Sequence, residues 1–289
     1  MTTAVGSHPK TSTSWVTLGW FGLLVAICYA PVIISLAADW SKDPDMGHGF
    51  FVPVISAYIV WQKRDELMAM KPQPNWWGLP IVVWGGAQVI LGTLGVELFT
   101  ARVAFVITVI GVVLLLCGTA ILKKVAFPLF LLFFMVPIPA IIYNRITFPL
   151  QIWASQLAAE ALSLVGIPVM REGNILELPS QKLSVVEACS GIRSLLSLTF
   201  LSLVFGHFFE KRNWIRVTLF FATIPIAIMA NAGRVTVTGV LSEIKPELAD
   251  GFFHESTGWV IFMIALGILL LFHQLILRVV NRIEAKGKA

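Results

Sequence analysis

The chain has 289 residues, of which 57% are apolar and 13% are charged, and its mean hydropathy is +0.84. Soluble domains are much less apolar, so most of this chain must face lipid. The net charge of +5 does not indicate nucleic-acid binding, because the basic residues are scattered between apolar runs. Three cysteines without a C-x-x-C pair indicate neither a disulfide framework nor a zinc site.

Apolar runs predict an all-α polytopic membrane protein with about eight transmembrane helices, since about 20 apolar residues cross a bilayer core. The second run is short. The first ends in a sequence that resembles a signal-peptidase site, but it is longer than a signal h-region, so we interpret it as an uncleaved helix. The predicted spans are residues 15–38, 50–61, 79–96, 103–122, 125–143, 192–209, 215–241 and 257–280. No second soluble domain is evident, and residues 1–289 are predicted to form a single integral membrane domain.

The loops between these runs predict the orientation, because Lys and Arg concentrate in short cytoplasmic loops. With both termini in the cytoplasm, 13 of the 21 basic residues lie on that side. These are Lys10, Lys63, Arg64, Lys71, Lys123, Lys124, Lys211, Arg212, Arg216, Arg278, Arg282, Lys286 and Lys288. The sequence therefore predicts a multi-pass membrane protein with both ends inside.

The segment 144–188 then lies outside the cytoplasm. It begins with an amphipathic stretch, 151–164, of the kind that rests at a membrane interface. Residues 172–179 alternate polar and apolar side chains, with a Gly-Asn turn near one end and a proline at the other. This pattern predicts a short β-hairpin before the sixth span, where it can cover a site at the membrane surface.

Three reactive residues fall at the same predicted face. Cys189 precedes the sixth span, Arg234 lies near the outer end of the seventh, and His254 precedes the eighth. A thiol becomes a strong nucleophile when an imidazole takes its proton, and a guanidinium can hold the oxyanion formed by attack on a carbonyl. The three residues together indicate acyl transfer.

The sequence around Cys189 favours an activated thiol. A cysteine at the start of a helix lies at the positive end of the helix dipole, and Arg193 adds a cation one turn later. Ser190 and Gly191 keep the site small, and Ser190 can donate a hydrogen bond. Glu187 opposes thiolate formation, so its orientation matters.

Structural interpretations compete with this one. Cys189 can be a packing residue, Arg234 an interface anchor and His254 a solvated loop histidine. Cys28 and Cys117 lie inside apolar runs and are predicted to be small buried hydrophobes. A zinc-protease interpretation fails, because Gly258 stands where the second histidine of His-Glu-x-x-His is needed. We therefore expect no metal and no cofactor.

The sequence resembles the exosortase/archaeosortase family. Three blocks in order carry the resemblance: Val186-Glu187-Ala188-Cys189-Ser190-Gly191-Ile192-Arg193-Ser194, Asn231-Ala232-Gly233-Arg234-Val235 and His254-Glu255-Ser256-Thr257-Gly258-Trp259. The region of Asp43, His48-Gly49 and Trp61 is similar to the family's opening segment. His48 either orients the site or caps a helix, and the sequence does not choose between them.

The resemblance implies a cysteine peptidase or transpeptidase with Cys189 as nucleophile, His254 as acid/base and Arg234 as oxyanion or substrate ligand. Arg193, Ser190, Glu187, Asn231 and His48 are the expected supporting or substrate-binding residues. Substrates in the family are secreted proteins with a C-terminal PEP-CTERM-like tail, consisting of a sorting motif, a transmembrane helix and a basic end. Further expected partners are membrane lipid and exopolysaccharide-assembly proteins, but not nucleic acid. An exopolysaccharide-intermediate transporter and a noncatalytic assembly scaffold are the alternatives.

Overall fold

A computed structural model of the chain describes residues 15–95, 97–185, 191–245 and 251–286, with the backbone alone at 15, 44–45, 191–194, 251–255 and 286. The described residues are mostly helical, as predicted. They fall into two compact units, Met1–Ile138 and Pro139–Ala289, each with its own contacts.

Helices make up the first unit. They are α1 Trp15–Cys28, α2 Ala30–Lys42, a 3-10 helix Pro44–Phe50, α3 Phe51–Gln62, α4 Arg64–Ala69, α5 Gly78–Leu94, α6 Leu98–Leu131 and a 3-10 helix Leu132–Met135. The first predicted span is two helices, because the chain bends by 69° between α1 and α2. Pro31 stands in the first turn of α2, where a proline lacking its N–H is tolerated and a new helix can begin.

Helix α6 does not run straight. As a straight helix its 34 residues would extend roughly 51 Å. However, Arg102 near its start pairs with Asp39, while the carbonyl of Met135 beyond its end accepts a hydrogen bond from Trp40 Nε1 at 2.9 Å. Since Asp39 and Trp40 are adjacent, the chain must turn back between these two contacts.

The turn lies at Gly118, whose φ of 82° and ψ of −179° are not helical. Glycine is required there, because a Cβ would lie 1.8 Å from the carbonyl oxygen of Gln73. The backbone N–H of Gln73 in turn donates to the carbonyl of Cys117 at 3.1 Å. The break therefore precedes the Lys123-Lys124 pair at which the sequence predicted a boundary between spans.

The cysteines of this unit differ from one another. Cys117 is buried in a cluster with Leu67, Ile121 and Val125, as predicted. Cys28 is exposed on α1. The prediction that Cys28 is a buried packing residue was therefore wrong, because an apolar run in a membrane protein includes a face that contacts lipid rather than protein.

Among the residues of the second unit that the structure describes, there are four helices and a small sheet. Its elements are α7 Ala140–Leu164, β1 Met170–Glu172, β2 Ile175–Glu177, β3 Lys182–Ser184, α8 Gly191–Phe209, α9 Asn213–Ile244 and α10 Gly251–Lys286. The predicted fifth span was placed too far along the chain, since residues 140–143 belong to α7. Pro137 and Pro139 explain the break before α7, because proline cannot donate a backbone hydrogen bond and disfavours helix in the residue before it.

The predicted hairpin is confirmed and extended. Strands β1 and β2 pair antiparallel around Gly173, whose φ is 63°, and β3 adds a third strand to give the order β1-β2-β3. Leu176 and Leu183 pack beneath the sheet against Leu162 of α7 and Val235 of α9. The sheet is thus fixed to the second half of α9.

By length and composition, three helical stretches among the described residues can cross a bilayer: Leu98–Met135, Asn213–Ile244 and Ser256–Ala285. The bent pair α1–α2 would be a fourth, and α5 and part of α8 are shorter apolar helices. The all-α membrane class is therefore confirmed, whereas the count of eight spans is not.

Candidate active site

Arg234 lies on α9 and is buried, with 9% of its surface exposed. Its guanidinium rests on Gly258 of α10. A Cβ built on Gly258 would lie 3.1 Å from Arg234 Cζ, 3.2 Å from Nη2 and 3.3 Å from Nη1. These nearly equal distances mean that the flat face of the guanidinium covers the glycine.

Gly258 follows His254 by four residues on the same helix, and residues four apart share a helix face. The backbone of His254 lies in the first turn of α10, and its side chain is not among those described. The contact with Gly258 therefore brings the Arg234 side chain to within one helical turn of the His254 position. The contact also explains why residue 258 is glycine rather than the second histidine of a zinc-protease motif, because a side chain there would crowd the Arg234 guanidinium.

Helices α8 and α9 are antiparallel neighbours with a defined register. Thr199 Oγ1 and Thr223 Oγ1 are 3.2 Å apart, and two turns further Gly206 lies beside Arg216. In the opposite direction, eight residues along each helix from the threonine pair, Gly191 at the start of α8 and Asn231 of α9 lie at the same level. Both helices rise 1.5 Å per residue, so the correspondence holds along their length.

Asn231 is buried one turn before Arg234, and its Oδ1 has no hydrogen-bond partner among the described residues. It lines a pocket of about 10 Å³, enough for roughly one water molecule. The other lining residues are Thr147, Leu150, Gln151, Leu195, Ala227 and Ile228. An unsatisfied buried acceptor costs about 1–3 kcal/mol, which favours a ligand or water at this position.

Polar contacts as well as packing join the sheet to the second half of α9, the half that carries Arg234. The N–H and hydroxyl of Ser180 donate to Glu243 Oε1 at 3.0 and 2.7 Å. Hydrogen bonding to Glu177 raises the pKa of Lys182. Val185 packs with Val235, the residue after Arg234. The sheet therefore covers the part of α9 that carries Arg234.

Several predicted site residues are not described. Cys189, Ser190 and Glu187 lie outside the described residues, and Arg193 is described by its backbone only, in the first turn of α8. The structure brings together Arg234, Asn231 and the helix turn of His254.

His48 belongs to the first unit, where its Nε2 lies 3.1 Å from the carbonyl oxygen of Phe134. Its neighbour Gly49 is needed for packing, because a Cβ there would lie 2.3 Å from the ring of Trp40. The His48-Gly49 pair therefore joins the end of α2 to the segment after α6.

Arg102 is a buried residue that the sequence analysis did not single out. Its guanidinium pairs with Asp39 and donates to Ser35 Oγ at 2.8 Å. Only 5% of Arg102 is exposed. The sequence did offer a signal for this ion pair, because Arg102 stands at the start of one long apolar run and Asp39 at the end of another.

A second buried polar cluster lies at the opposite end of the α8–α10 bundle. Glu210 Oε2 is 3.4 Å from His273 Nε2, and Arg216 Nε donates to the Glu210 carbonyl at 2.7 Å. Burial raises the pKa of the Glu210 carboxyl, but hydrogen bonds from the Arg212 N–H, His273 and the Lys211 N–H outweigh burial, and the net pKa is lowered. No group of three or more His, Cys, Asp or Glu within the described ranges is arranged to hold a metal ion.

The family model for transmembrane exosortases (Exosortase_EpsH) matches residues 40–271. The chain belongs to the transmembrane exosortase family. No curated protein and no solved structure matches it. The matched range includes Arg234 and Gly258 and the Cys189 position, so every block that carried the resemblance lies inside the family region of this exosortase.

Proposed function

We propose that this exosortase is a membrane cysteine peptidase and transpeptidase that removes C-terminal PEP-CTERM-like sorting signals from secreted proteins. Cys189 is the nucleophile, His254 the general acid and base, and Arg234 the ligand of the oxyanion. The observation that carries the proposal is the buried Arg234 guanidinium on Gly258, one turn from His254. Family membership points to the same chemistry.

The reaction proceeds in two steps. His254 takes the thiol proton, and the Cys189 sulfur bonds to the carbonyl carbon of the scissile peptide while Arg234 holds the developing oxyanion. The C–N bond breaks, and His254 returns the proton to the departing amine, leaving a thioester. An acceptor nucleophile or water then attacks the thioester and gives its proton to His254, and His254 returns that proton to the departing Cys189 sulfur, which regenerates the thiol.

The register of the bundle supports this assignment. Gly191 at the start of α8 is level with Asn231, and Arg234 lies one turn beyond, toward the end of the bundle at which the Cys189 segment enters α8. Ser190 and Arg193 flank the nucleophile in sequence and would stabilise the thiolate, and Glu187 and Asn231 would contact the substrate. His48 remains a supporting residue in the proposal.

The membrane position of Arg234 also favours surface chemistry over transport. Arg216 belongs to the charged cluster at one end of α9, and the 18 residues from it to Arg234 rise about 27 Å. The hydrocarbon core is about 30 Å thick, so Arg234 lies near the opposite interface. A transport path would place such charges near the midplane.

We further propose that residues 1–289 form one inner-membrane domain with eight spans, both termini in the cytoplasm and the site on the extracytoplasmic face. The turn at Gly118 divides α6 into two arms and supports separate fourth and fifth spans. Partners are tailed secreted proteins, membrane lipid and exopolysaccharide-assembly proteins. No cofactor is required.

Processing of tailed proteins in cells tests the proposal. Cys189→Ala should leave a substrate with its tail uncut, as seen by intact mass, whereas Cys28→Ala is the matched control because Cys28 is exposed on α1. A membrane-impermeant thiol reagent should label Cys189 in spheroplasts. Normal processing by Cys189→Ala would disprove the nucleophile, and labelling only after the membrane is opened would reverse the orientation.

A further inference from the structure

The first unit contains a groove that the proposed peptidase chemistry does not use. It has a volume of about 500 Å³ and lies between α3, α4 and the second arm of α6. Its lining residues are Pro53, Ser56, Ala57, Val60, Trp61, Arg64, Leu67, Met68, Pro128, Leu129 and Leu132. Nearly all of them are apolar, and Arg64 is the one charged residue in the lining.

Arg64 fixes the polar end of the groove. Its guanidinium lies over the ring of Trp61, 4.3 Å from the centroid, and both side chains are substantially exposed. Tryptophan and arginine together are typical of the membrane interface. Arg64 Nε also pairs with the exposed Asp65 at 3.6 Å, Lys124 pairs with Glu66, and Lys63 donates to the carbonyl of Lys124. Lys63, Arg64 and Lys124 outnumber the two carboxylates, so this end of the unit is net basic.

The length and volume of the groove indicate whether it can hold a lipid acyl chain or a substrate helix. From Arg64 to Pro53 the chain advances 11 residues, mostly along α3, or roughly 16 Å. One leaflet occupies about 15 Å, half of the hydrocarbon core. A membrane-spanning helix about 30 Å long and 10 Å across fills well over 2,000 Å³, several times the groove. An acyl chain of one leaflet fits the groove in length, whereas a substrate helix exceeds its volume.

We propose that this groove binds one anionic phospholipid, with an acyl chain between α3 and α6 and the phosphate at Arg64. The apolar walls give the chain a protein surface in place of neighbouring lipid tails. Arg64 is suited to the phosphate, because the edge of its planar guanidinium can donate two hydrogen bonds while the Trp61 ring covers one of its faces. Lys63 adds a second positive charge near the phosphate.

Purified full-length protein in neutral detergent, titrated with phosphatidylglycerol, phosphatidylcholine or short-chain dihexanoyl phosphatidylglycerol, provides the test. Lipid binding is read by native mass spectrometry and by the shift in melting temperature. Long-chain phosphatidylglycerol should bind most tightly. Loss of one basic contact near a lipid headgroup weakens binding about fivefold, so Arg64→Gln should show that loss, while Lys71→Gln, outside the groove, should not.

Filling the groove tests the acyl-chain part separately. Ala57 is exposed in the groove, so Ala57→Trp should block the bound lipid without disturbing the core, and Ala57→Leu should weaken it less. Ile90→Trp on α5 is the control, since Ile90 is exposed and lies outside the groove. Equal binding of phosphatidylcholine, equal effects of Arg64→Gln and Lys71→Gln, or unchanged binding by Ala57→Trp would each overturn the proposal.

Discussion

The contact between Arg234 and Gly258 makes a quantitative prediction about Gly258→Ala. The new Cβ would stand 3.1 Å from Arg234 Cζ, whereas carbon atoms in contact prefer about 3.5–4.0 Å. The guanidinium must therefore retreat by about 0.5 Å. A displacement of about 1 Å in a catalytic group can reduce the rate about 100-fold, so half that displacement should reduce turnover about tenfold.

A change in protein stability can be separated from the predicted loss of turnover, because a matched control position lies on the same helix. Gly267 of α10 has nothing within 4 Å of a built Cβ. Both Gly→Ala changes raise helix propensity by about 1 kcal/mol. Gly267→Ala should therefore retain full activity at equal or greater stability, while Gly258→Ala loses activity at similar abundance.

The assay compares the two variants in proteoliposomes with a tailed substrate protein, following the cleaved fraction over time by intact mass. Gly258→Val, with two further methyl groups, should lose more activity than Gly258→Ala. If Gly258→Ala and Gly267→Ala process substrate at the same rate, then the position of the Arg234 guanidinium on Gly258 is not part of the catalytic geometry.

Three further predictions concern other buried contacts. Arg234→Lys keeps the charge but loses the planar fork, and processing should fall about 100- to 1,000-fold at unchanged abundance; near-normal processing would contradict the oxyanion role. Gly118→Ala should sharply lower the amount of folded protein, because its Cβ would overlap Gln73 in a conformation almost restricted to glycine; normal yield would refute the turn. Glu210→Gln should destabilise by about 2 kcal/mol at pH 7. Folding lowers the pKa of Glu210, so the stability that its carboxylate contributes is complete above the pKa of the unfolded chain and is lost as the pH falls through the pKa of the folded protein. The difference in melting temperature between the wild-type protein and Glu210→Gln should therefore shrink in acid. A difference that does not change with pH would argue against the ionised contact with His273.

Periodicity and turn chemistry were enough to predict several elements. The Gly173-Asn174 dipeptide between alternating residues predicted the hairpin, and the long apolar runs predicted α9 and α10. The third strand was missed because three residues, Lys182–Ser184, are too few for an alternating pattern. Hydrophobicity alone could not locate the break at Gly118, which depends on the approach of a distant backbone carbonyl.

The candidate site was predictable in its residue types but not in its packing. The sequence placed Arg234 and His254 at one face from the order of spans. The contact of the guanidinium with Gly258 could not be read from sequence, because it requires the register between two helices. Arg102 was overlooked for the same reason, since its partner Asp39 is distant in the chain.

In the proposed reaction, Cys189 carries the acyl group of the cleaved substrate. The most direct test is mass spectrometry of enzyme quenched in acid during turnover of a tailed substrate, with Cys189→Ala treated in parallel. A hydroxylamine-sensitive adduct should appear on the peptide that contains Cys189, with the mass of the acyl group that ends at the new C-terminus of the retained N-terminal product, and Cys189→Ala should cleave no substrate. Complete cleavage of the substrate by Cys189→Ala in the same experiment would contradict it.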